Sequence, residues 1–116
     1  MDRGRQYEEV AEAFLPTRGH NVVDRNVRFM RKEIDLVVER DALVAFVEVK
    51  GRSGPGFGHP LEAITWKKRR AISIAAHLWI DRSRLEARSY RFDAVSVVSE
   101  GGCVIDIEHV EGAWTE

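Results

Sequence analysis

The 116-residue sequence has a single cysteine, Cys103, three prolines and no long apolar run. One cysteine cannot form an internal disulfide, so the fold must rest on a hydrophobic core, which a chain of this length can bury. No segment approaches the roughly 18 consecutive apolar residues of a membrane-spanning helix. The charged residues 1–5 are not followed by the apolar stretch of a signal peptide. We expect one domain over residues 1–116, in the reducing environment of the cytoplasm.

An excess of charge of one sign is also absent, since the formal net charge is −1. This near neutrality argues against a strong non-specific binder of nucleic acid. The charges are nevertheless unevenly distributed: eight basic and two acidic residues lie between Lys67 and Arg91, whereas residues 100–116 hold five acids and no lysine or arginine. The basic region can contact phosphates, but a solvated helix face explains it equally well.

The hydrophobic periodicity predicts the order helix, three strands, helix, two strands. The first helix is predicted from Arg3 to about Leu15, and the second from Pro60 to about Ile80. Strands are predicted at 21–29, 33–40, 43–50, 90–99 and 104–110, with a glycine-rich loop at 51–58. The strand–helix–strand crossover favours parallel pairing, so we expect an α/β fold with a mixed central sheet flanked by helices.

The second and third predicted strands form a hairpin around the turn Asp41-Ala42. Positions that sum to 83 then face each other, which places Asp35 opposite Glu48, and residue 33 opposite residue 50. The alternation of the second strand predicts one apolar face formed by Ile34, Leu36 and Val38. A slip of one residue would remove the match between the two carboxylates, so this pairing is an inference from the turn.

The opposed carboxylates of Asp35 and Glu48 require an explanation. Like charges facing each other destabilise a strand pair, and each buried charge costs roughly several kcal/mol in lost hydration. A divalent cation between them reverses the sign of the interaction, and oxygen ligands select Mg²⁺ or Mn²⁺. Lys50, on the same face as Glu48, is placed to hold a water or to offset charge on a phosphoryl group. The alternative is a plain strand end with ion pairs near solvent, either Glu33 with Lys50 or Glu48 with Arg52. Each such ion pair is worth about 0–1 kcal/mol.

Four segments together resemble the YraN-like family of endonuclease-like proteins: EIDLVVE at 33–39, LVAFVEVKGR at 43–52, FGHPLEAITWKKRRAI at 57–72 and RFDAVSVV at 91–98. The resemblance covers residues 4 to about 114. It implies the restriction-endonuclease-like fold, with the order α-β-β-β-α-β-β, and a likeness to archaeal Holliday-junction resolvases. The family usually has glycine where this chain has Tyr7 and Lys32, which puts the geometry of the substrate in doubt more than metal binding.

The resemblance also implies roles for individual residues. Asp35 and Glu48 match the metal-binding carboxylates, Lys50 matches the catalytic lysine, and the backbone carbonyl of Val49 is the customary further ligand. Relatives often add a glutamate from the first helix, which is Glu8 by position. The alternative for Glu8 is a surface acid beside its acidic neighbours.

Several basic residues are candidates for contacts with nucleic acid. Lys67 and Arg70 lie on an outer helix face and are expected to meet backbone phosphates, as is Arg52. Lys68 lies on the inner stripe of the same helix, where it either points into the site or reaches along the helix to solvent.

Other polar and aromatic residues leave alternatives open. Arg91 and Asp93 share a strand face, and either a role in the site or an internal ion pair explains them. Trp66 and Trp79 are expected to be packing residues, although Trp66, beside the basic cluster, can also stack on a base. The histidines have no zinc-binding spacing with Cys103, so no structural zinc is predicted.

The sequence and the resemblance together predict a Mg²⁺-dependent (or Mn²⁺-dependent) endonuclease that hydrolyses phosphodiester bonds of DNA, including branched or structured DNA. The alternative is a non-catalytic nucleic-acid-binding or assembly protein that keeps the nuclease fold. A third hypothesis is a purely structural, dimerising domain. Likeness to dimeric resolvases is the only argument for a homodimer. We expect nucleic acid as the partner, and no membrane.

Overall fold

The computed structural model describes residues 3–54, 64–83, 87 and 89–116. Helix α1 spans Arg3–Phe14 and helix α2 spans Trp66–Ser83. The strands are β1 (Asn21–Phe29), β2 (Lys32–Arg40), β3 (Leu43–Ser53), β4 (Ser89–Glu100) and β5 (Cys103–Trp114). The predicted order of elements is confirmed. No helix in the described part of the chain is long and apolar enough to cross a membrane.

The five strands form one mixed sheet in the order β1-β2-β3-β4-β5. Strands β3 and β4 pair in parallel, and every other neighbouring pair is antiparallel. The parallel pair is the one joined through α2, as expected for a crossover connection. The predicted α/β class is therefore confirmed, and β3 lies in the centre of the sheet.

Each face of the sheet carries a hydrophobic core. One core contains Ala11 and Leu15, at the end of α1 and just beyond it, packed on Leu36, Val47 and their neighbours. The other core contains residues of α2 packed on the opposite face of the strands, namely Ile72, Ala75, Ala76 and Trp79 with Ile34, Val37, Val44 and Phe46. Successive residues of β3 alternate between these two cores, so every side chain of β3 belongs to a defined face.

Several predicted boundaries are wrong, including the end of the last strand, which was predicted at residue 110 and lies at Trp114. Strand β3 does not end at residue 50, because its parallel pairing with β4 continues to Ser53 opposite Ser99. Helix α2 does not begin at residue 60, because residues 64 and 65 are not helical and Thr65 caps the helix: its hydroxyl accepts a hydrogen bond from the backbone N–H of Lys68 at 3.1 Å. Residues 51–53 of the predicted glycine-rich loop belong to β3, and residues 55–58 lie outside the described residues.

The alternation of β2 side chains between the two faces of the sheet is interrupted at Asp35. Leu36 and Val38 pack in the α1 core, whereas Ile34 packs with Val37 in the α2 core. The prediction that Ile34, Leu36 and Val38 share one face is therefore wrong for Ile34. Asn26, which lies across from Asp35 on β1, has a φ of 48°, in the left-handed region that asparagine tolerates. A local irregularity in both strands thus places Asp35 between the two faces of the sheet.

Candidate active site

The hairpin register that the sequence predicts is confirmed over the length of the ladder. The pairs run from Arg40 with Leu43 to Leu36 with Val47, and each pair sums to 83. The ladder stops there, so Asp35 and Glu48 follow directly after its last pair. The two strands separate where the two carboxylates begin.

Asp35 is held in the gap between the separating strands. Its Oδ2 accepts a hydrogen bond from the backbone N–H of Val49 at 2.8 Å. The side chain thereby satisfies a donor on β3 that the β2 backbone no longer reaches. The side chain of Val49 packs in the α1 core and anchors the strand from behind.

Glu48 is buried on the face that α2 covers, with 4% of its surface exposed. Its Oε1 lies 3.9 Å from Nζ of Lys50 and 3.9 Å from Nζ of Lys68. These distances are too long for hydrogen bonds. Its Oε2 is buried and accepts no hydrogen bond from a described residue, and when Glu48 is protonated its carboxyl group shares a hydrogen bond with Asp35. A buried carboxylate that is this poorly satisfied costs stability, roughly 1–3 kcal/mol or more.

The two carboxyl groups shift each other's titration. Burial and the neighbouring charge of Asp35 raise the pKa of Glu48 to about 8, against the opposing effect of Lys68 and Lys50. Burial also raises the pKa of Asp35, and this effect is opposed by the N–H of Val49 and by Lys68. Two acids that cannot easily ionise together are typical of sites where a cation or a proton is shared.

Lys68 reaches the site from the first turn of α2. The cap at Thr65 sets the start of the helix, and the side chain of Lys68 then extends over β3 toward Glu48 while 41% of it stays exposed. The sequence left open whether Lys68 points into the site or only to solvent. The structure brings it to Glu48, beside Lys50, because the packing of α2 on the sheet decides the direction.

Glu8 lies apart from the other carboxylates. It is partly buried on α1, on the face of the sheet opposite to Glu48, and lines a depression with Asn26 and Leu36. Glu8, Asp35 and Glu48 do not form a group of three whose oxygens all lie within 4.8 Å of one another. The structure therefore does not join Glu8 to the pair formed by Asp35 and Glu48.

The predicted phosphate-binding residues lie around the site. Arg52 follows Lys50 on the same face of β3 and is partly exposed. Lys67 and Arg70 are exposed on α2. The expectation that Trp66 is a packing residue is wrong, since 72% of its surface is exposed and the Arg70 guanidinium lies 5.7 Å from its ring centroid.

Gly51 has a packing role that the sequence did not reveal. A Cβ at this position would overlap with the ring of Tyr7, which packs across the backbone at the end of β3. The hydroxyl of Tyr7 lies 2.9 Å from Oγ of Ser99. Tyr7 therefore ties α1 to β3 and β4 immediately behind Lys50.

A second polar cluster surrounds Asp93 of β4, which pairs with Val47 and faces the α1 side of the sheet. Asp93 is fully buried and accepts two hydrogen bonds from Arg91, both at 2.7 Å, one from Nε2 of His109 at 2.8 Å and one from the backbone of Gly112. Of the two explanations for Arg91 and Asp93, the internal ion pair is therefore the one observed. Sequence reasoning missed His20, His109 and Glu111, which complete this cluster, because they come from distant segments without a shared motif.

The hydrogen bonds of His20 define its neutral form. Nδ1 lies 3.2 Å from the carbonyl of Arg18, which can only accept, so Nδ1 carries the proton. Nε2 then accepts from Arg91 at 3.0 Å. Potential ligand atoms of His20, His109 and Glu111 lie within 4.8 Å of one another. The lone pair on Nε2 of His20 already accepts a hydrogen bond from Arg91, so it is not available to bind a cation. This cluster is therefore a structural network.

Comparison with known proteins finds relatives along nearly the whole chain. The sequence model described as "Uncharacterised protein family UPF0102" matches residues 7–97. A UPF0102 protein of Clavibacter michiganensis subsp. michiganensis is 39% identical over 97% of this chain and 96% of its own length. UPF0102 proteins of Prosthecochloris aestuarii and Rhodococcus opacus are each 37% identical, over 99% and 96% of this chain and over 95% and 94% of their own lengths.

Proposed function

This chain belongs to the UPF0102 (YraN) family, and we propose that it is a Mg²⁺- or Mn²⁺-dependent nuclease that hydrolyses phosphodiester bonds of DNA, including branched or structured DNA. The observation that carries the proposal is the buried Glu48 carboxylate beside Asp35, with one oxygen unsatisfied among the described residues. A protein keeps such a costly pair where the carboxylates bind something.

The donor atoms of this site fit a hard divalent cation. Asp35 and Glu48 provide carboxylate oxygens, the Val49 carbonyl is the further ligand implied by the family resemblance, and no sulfur lies among them. Glu8 is proposed as an additional ligand, which requires its side chain to move toward Asp35. When bound, a Mg²⁺ ion supplies Lewis acidity and lowers the pKa of water.

The lysines provide the remaining chemistry from the chain itself. The Lys50 side chain is 30% exposed and its Nζ lies 3.9 Å from Oε1 of Glu48, so it can donate hydrogen bonds to an incoming water or to a phosphate oxygen. Lys68 adds a second ammonium group at 3.9 Å from the same oxygen. Two positive charges at this point offset the negative charge that develops on a phosphoryl group during hydrolysis.

Nucleic acid is proposed to approach across the start of α2. Lys67 and Arg70 are exposed there, and Arg52 extends the basic surface along β3 beyond Lys50. These residues are placed to contact phosphates, and such contacts position a strand without reading its sequence. The proposed substrate is therefore recognised by its backbone and shape. The homodimer expected from likeness to resolvases remains a separate proposal, which light scattering tests.

One observation favours the non-catalytic alternative. Nζ of Lys50 and Nζ of Lys68 each lie 3.9 Å from Oε1 of Glu48, so positive charge already stands beside this carboxylate without a cation. A binding or assembly protein would keep this arrangement as a structural charge cluster. Calorimetric titration with Mn²⁺ separates the two hypotheses, because a nuclease site binds the ion and loses it in Glu48→Gln.

The direct test is a cleavage screen on junction, flap, single-stranded and duplex DNA and on RNA, with Mg²⁺, Mn²⁺ or EDTA. Wild type is expected to cut at least one substrate only with the metal. Asp35→Asn and Lys50→Ala are expected to be inactive, while Asp106→Asn, which changes an exposed acid on β5, retains activity. Equal cleavage by all four proteins would show that any activity comes from elsewhere.

A further inference from the structure

The outward side of α2 carries an exposed indole in a basic setting. Trp66 is 72% exposed, although it is one of the largest apolar side chains in the sequence. A single exposed aromatic residue is ordinary on a protein surface. The neighbours set this one apart: residues 67–70 are all lysine or arginine, and no acidic residue occurs between Trp66 and Ile80.

Trp66 also lies at one end of a groove. The groove, of about 430 Å³, runs between α2 and the C-terminal residues 114–116, and reaches His77, where Glu116 accepts hydrogen bonds from Ser73 and His77. The Arg70 guanidinium lies 5.7 Å from the ring centroid of exposed Trp66, and the Arg69 guanidinium lies 5.8 Å from that of Trp114, which is only 7% exposed. An exposed aromatic ring beside positive charge is one of the means by which proteins hold single-stranded nucleic acid.

We propose that Trp66 stacks on an unpaired base, while Lys67 and Arg70 contact the phosphates on either side of it. The base must be unpaired because both faces of a base in a duplex are already stacked on its neighbours, whereas an unstacked base offers a free face. This inference rests on the proposed function and narrows its substrate to nucleic acid that carries an unpaired nucleotide near the site of cleavage.

The position of Trp66 relative to the site sets where that nucleotide lies. Trp66 and Lys68 are two residues apart on one helix, so their side chains point about 200° apart around its axis. Lys68 faces Glu48, and Trp66 therefore faces away from the carboxylates. The stacked base is separated from the site by roughly the 10 Å width of a helix. It lies outside the site, a few nucleotides along the strand.

Binding measured in EDTA tests the inference without requiring cleavage. Fluorescence anisotropy with a labelled single strand and a labelled blunt duplex is compared for wild type, Trp66→Ala and Trp66→Phe. Trp66→Ala is expected to bind the single strand about ten-fold more weakly, with duplex affinity unchanged. Trp66→Phe keeps an aromatic face and is expected to retain most of the affinity. A single strand that contains 2-aminopurine reports stacking directly, because the fluorescence of this base changes when it stacks. We expect the change with wild type and Trp66→Phe, and not with Trp66→Ala.

Two controls separate stacking from a general loss of structure or charge. Met30→Ala removes another exposed apolar side chain, at the turn between β1 and β2, and is expected to bind like wild type. Arg70→Gln is expected to reduce the slope of log K against log salt by about one, because one phosphate contact is lost. Trp66→Ala leaves this slope unchanged, because it removes no charge.

The inference is overturned if Trp66→Ala binds the single strand as tightly as wild type. It is also overturned if the variant loses affinity for single strand and duplex equally, or if wild type binds neither, since the groove then serves another kind of partner. If instead the nuclease proposal fails, neither wild type nor any variant cuts DNA. In that case Trp66→Ala still binds the single strand more weakly than wild type in EDTA.

Discussion

The Asp35 carboxylate accepts a hydrogen bond from the backbone N–H of Val49 at 2.8 Å, directly after the last ladder pair between β2 and β3. A side chain thus takes the place of a backbone acceptor where the two strands separate. This contact keeps the end of β3 ordered while leaving a gap between the strands. Glu48 faces the α2 side of that gap, so the position of the hydrogen bond determines where the proposed cation-binding site begins.

Replacing Asp35 should separate its structural and chemical roles. Asp35→Asn keeps an oxygen that can accept from Val49, so its free energy of unfolding should remain close to wild type while cleavage is lost. Asp35→Ala leaves the N–H of Val49 without a partner and should lower that free energy by about 1–3 kcal/mol. Urea denaturation and cleavage assays measure the two effects. Equal stability of both variants would show that the hydrogen bond contributes nothing.

Glu48→Met should stabilise the metal-free protein. Methionine has a similar volume and no polar atom, so the substitution removes a buried, poorly satisfied carboxylate and is expected to add about 1 kcal/mol to the free energy of unfolding. The same variant should bind no Mn²⁺ and should cut nothing. Chemical denaturation in EDTA, paired with calorimetry, checks both parts. A destabilised Glu48→Met would mean that the two lysines satisfy Glu48 more fully than their distances indicate.

Lys68 and Lys67 form a matched pair for testing the site. Both are basic residues of the first turn of α2, but only Lys68 lies beside Glu48. Lys68→Ala is expected to slow cleavage by roughly 10–100-fold, the loss typical of a residue that contacts a metal ligand without binding the metal itself. Lys67→Ala should change mainly the salt dependence of binding. The prediction fails if single-turnover rates of the two variants fall by the same factor.

Substitution of Gly51 should destabilise the junction between α1 and β3. In Gly51→Ala the new methyl group meets the ring of Tyr7, and overpacking of this kind costs typically about 1–3 kcal/mol. Tyr7→Ala should recover part of this loss in the double variant, because it removes the obstructing ring. Thermal denaturation of the two single variants and the double variant gives the coupling between the positions. Strictly additive losses would rule out this clash as the cause.

Acidification should remove the stabilising contribution of His20. Burial, followed by the charges of His109 and Arg91, lowers the pKa of His20 below 6.5, and Glu111 opposes this effect. The unfolded chain therefore binds this proton at higher pH than the folded chain, so the contribution of His20 to the free energy of unfolding falls as pH drops below about 6.5. Glu48, whose pKa is raised to about 8, changes stability in the opposite direction, so the contribution of His20 is measured against a variant that lacks it. Protonated His20 cannot accept from Arg91. The Asp93 carboxylate, whose pKa is lowered, loses its contribution only at more acidic pH.

Denaturation curves at several pH values between about 5 and 7.5 measure this slope. His20→Gln can still donate to the carbonyl of Arg18 and accept from Arg91, yet it does not titrate. The stability advantage of wild type over His20→Gln should therefore shrink as the pH falls through this range. A difference between the two proteins that does not change with pH would rule out His20 as the titrating group.

Much of the fold was predictable because it depends on local patterns. The two-residue turn at Asp41 and Ala42 determined the hairpin register, and the β2–β3 ladder follows it from residue 36 to residue 40. The start of α2 was mispredicted because Pro60 suits the first turn of a helix, whereas the hydroxyl of Thr65 caps the helix in the structure. The interruption of the side-chain alternation at Asp35 was missed because the apolar alternation in the β2 sequence continues through it, while the structural irregularity also involves Asn26 in a neighbouring strand.

The sequence by itself placed Asp35, Glu48 and Lys50 close together, since the turn length sets the hairpin register and the ladder ends directly before the first two of these residues. Only the tertiary structure decided which distant groups join them. It brought Lys68 to Glu48, turned Trp66 outward, and gathered His20 with Arg91 in a separate cluster. The physical reason is that these contacts depend on how α2 packs on the sheet and on pairing between remote segments, which no local periodicity records.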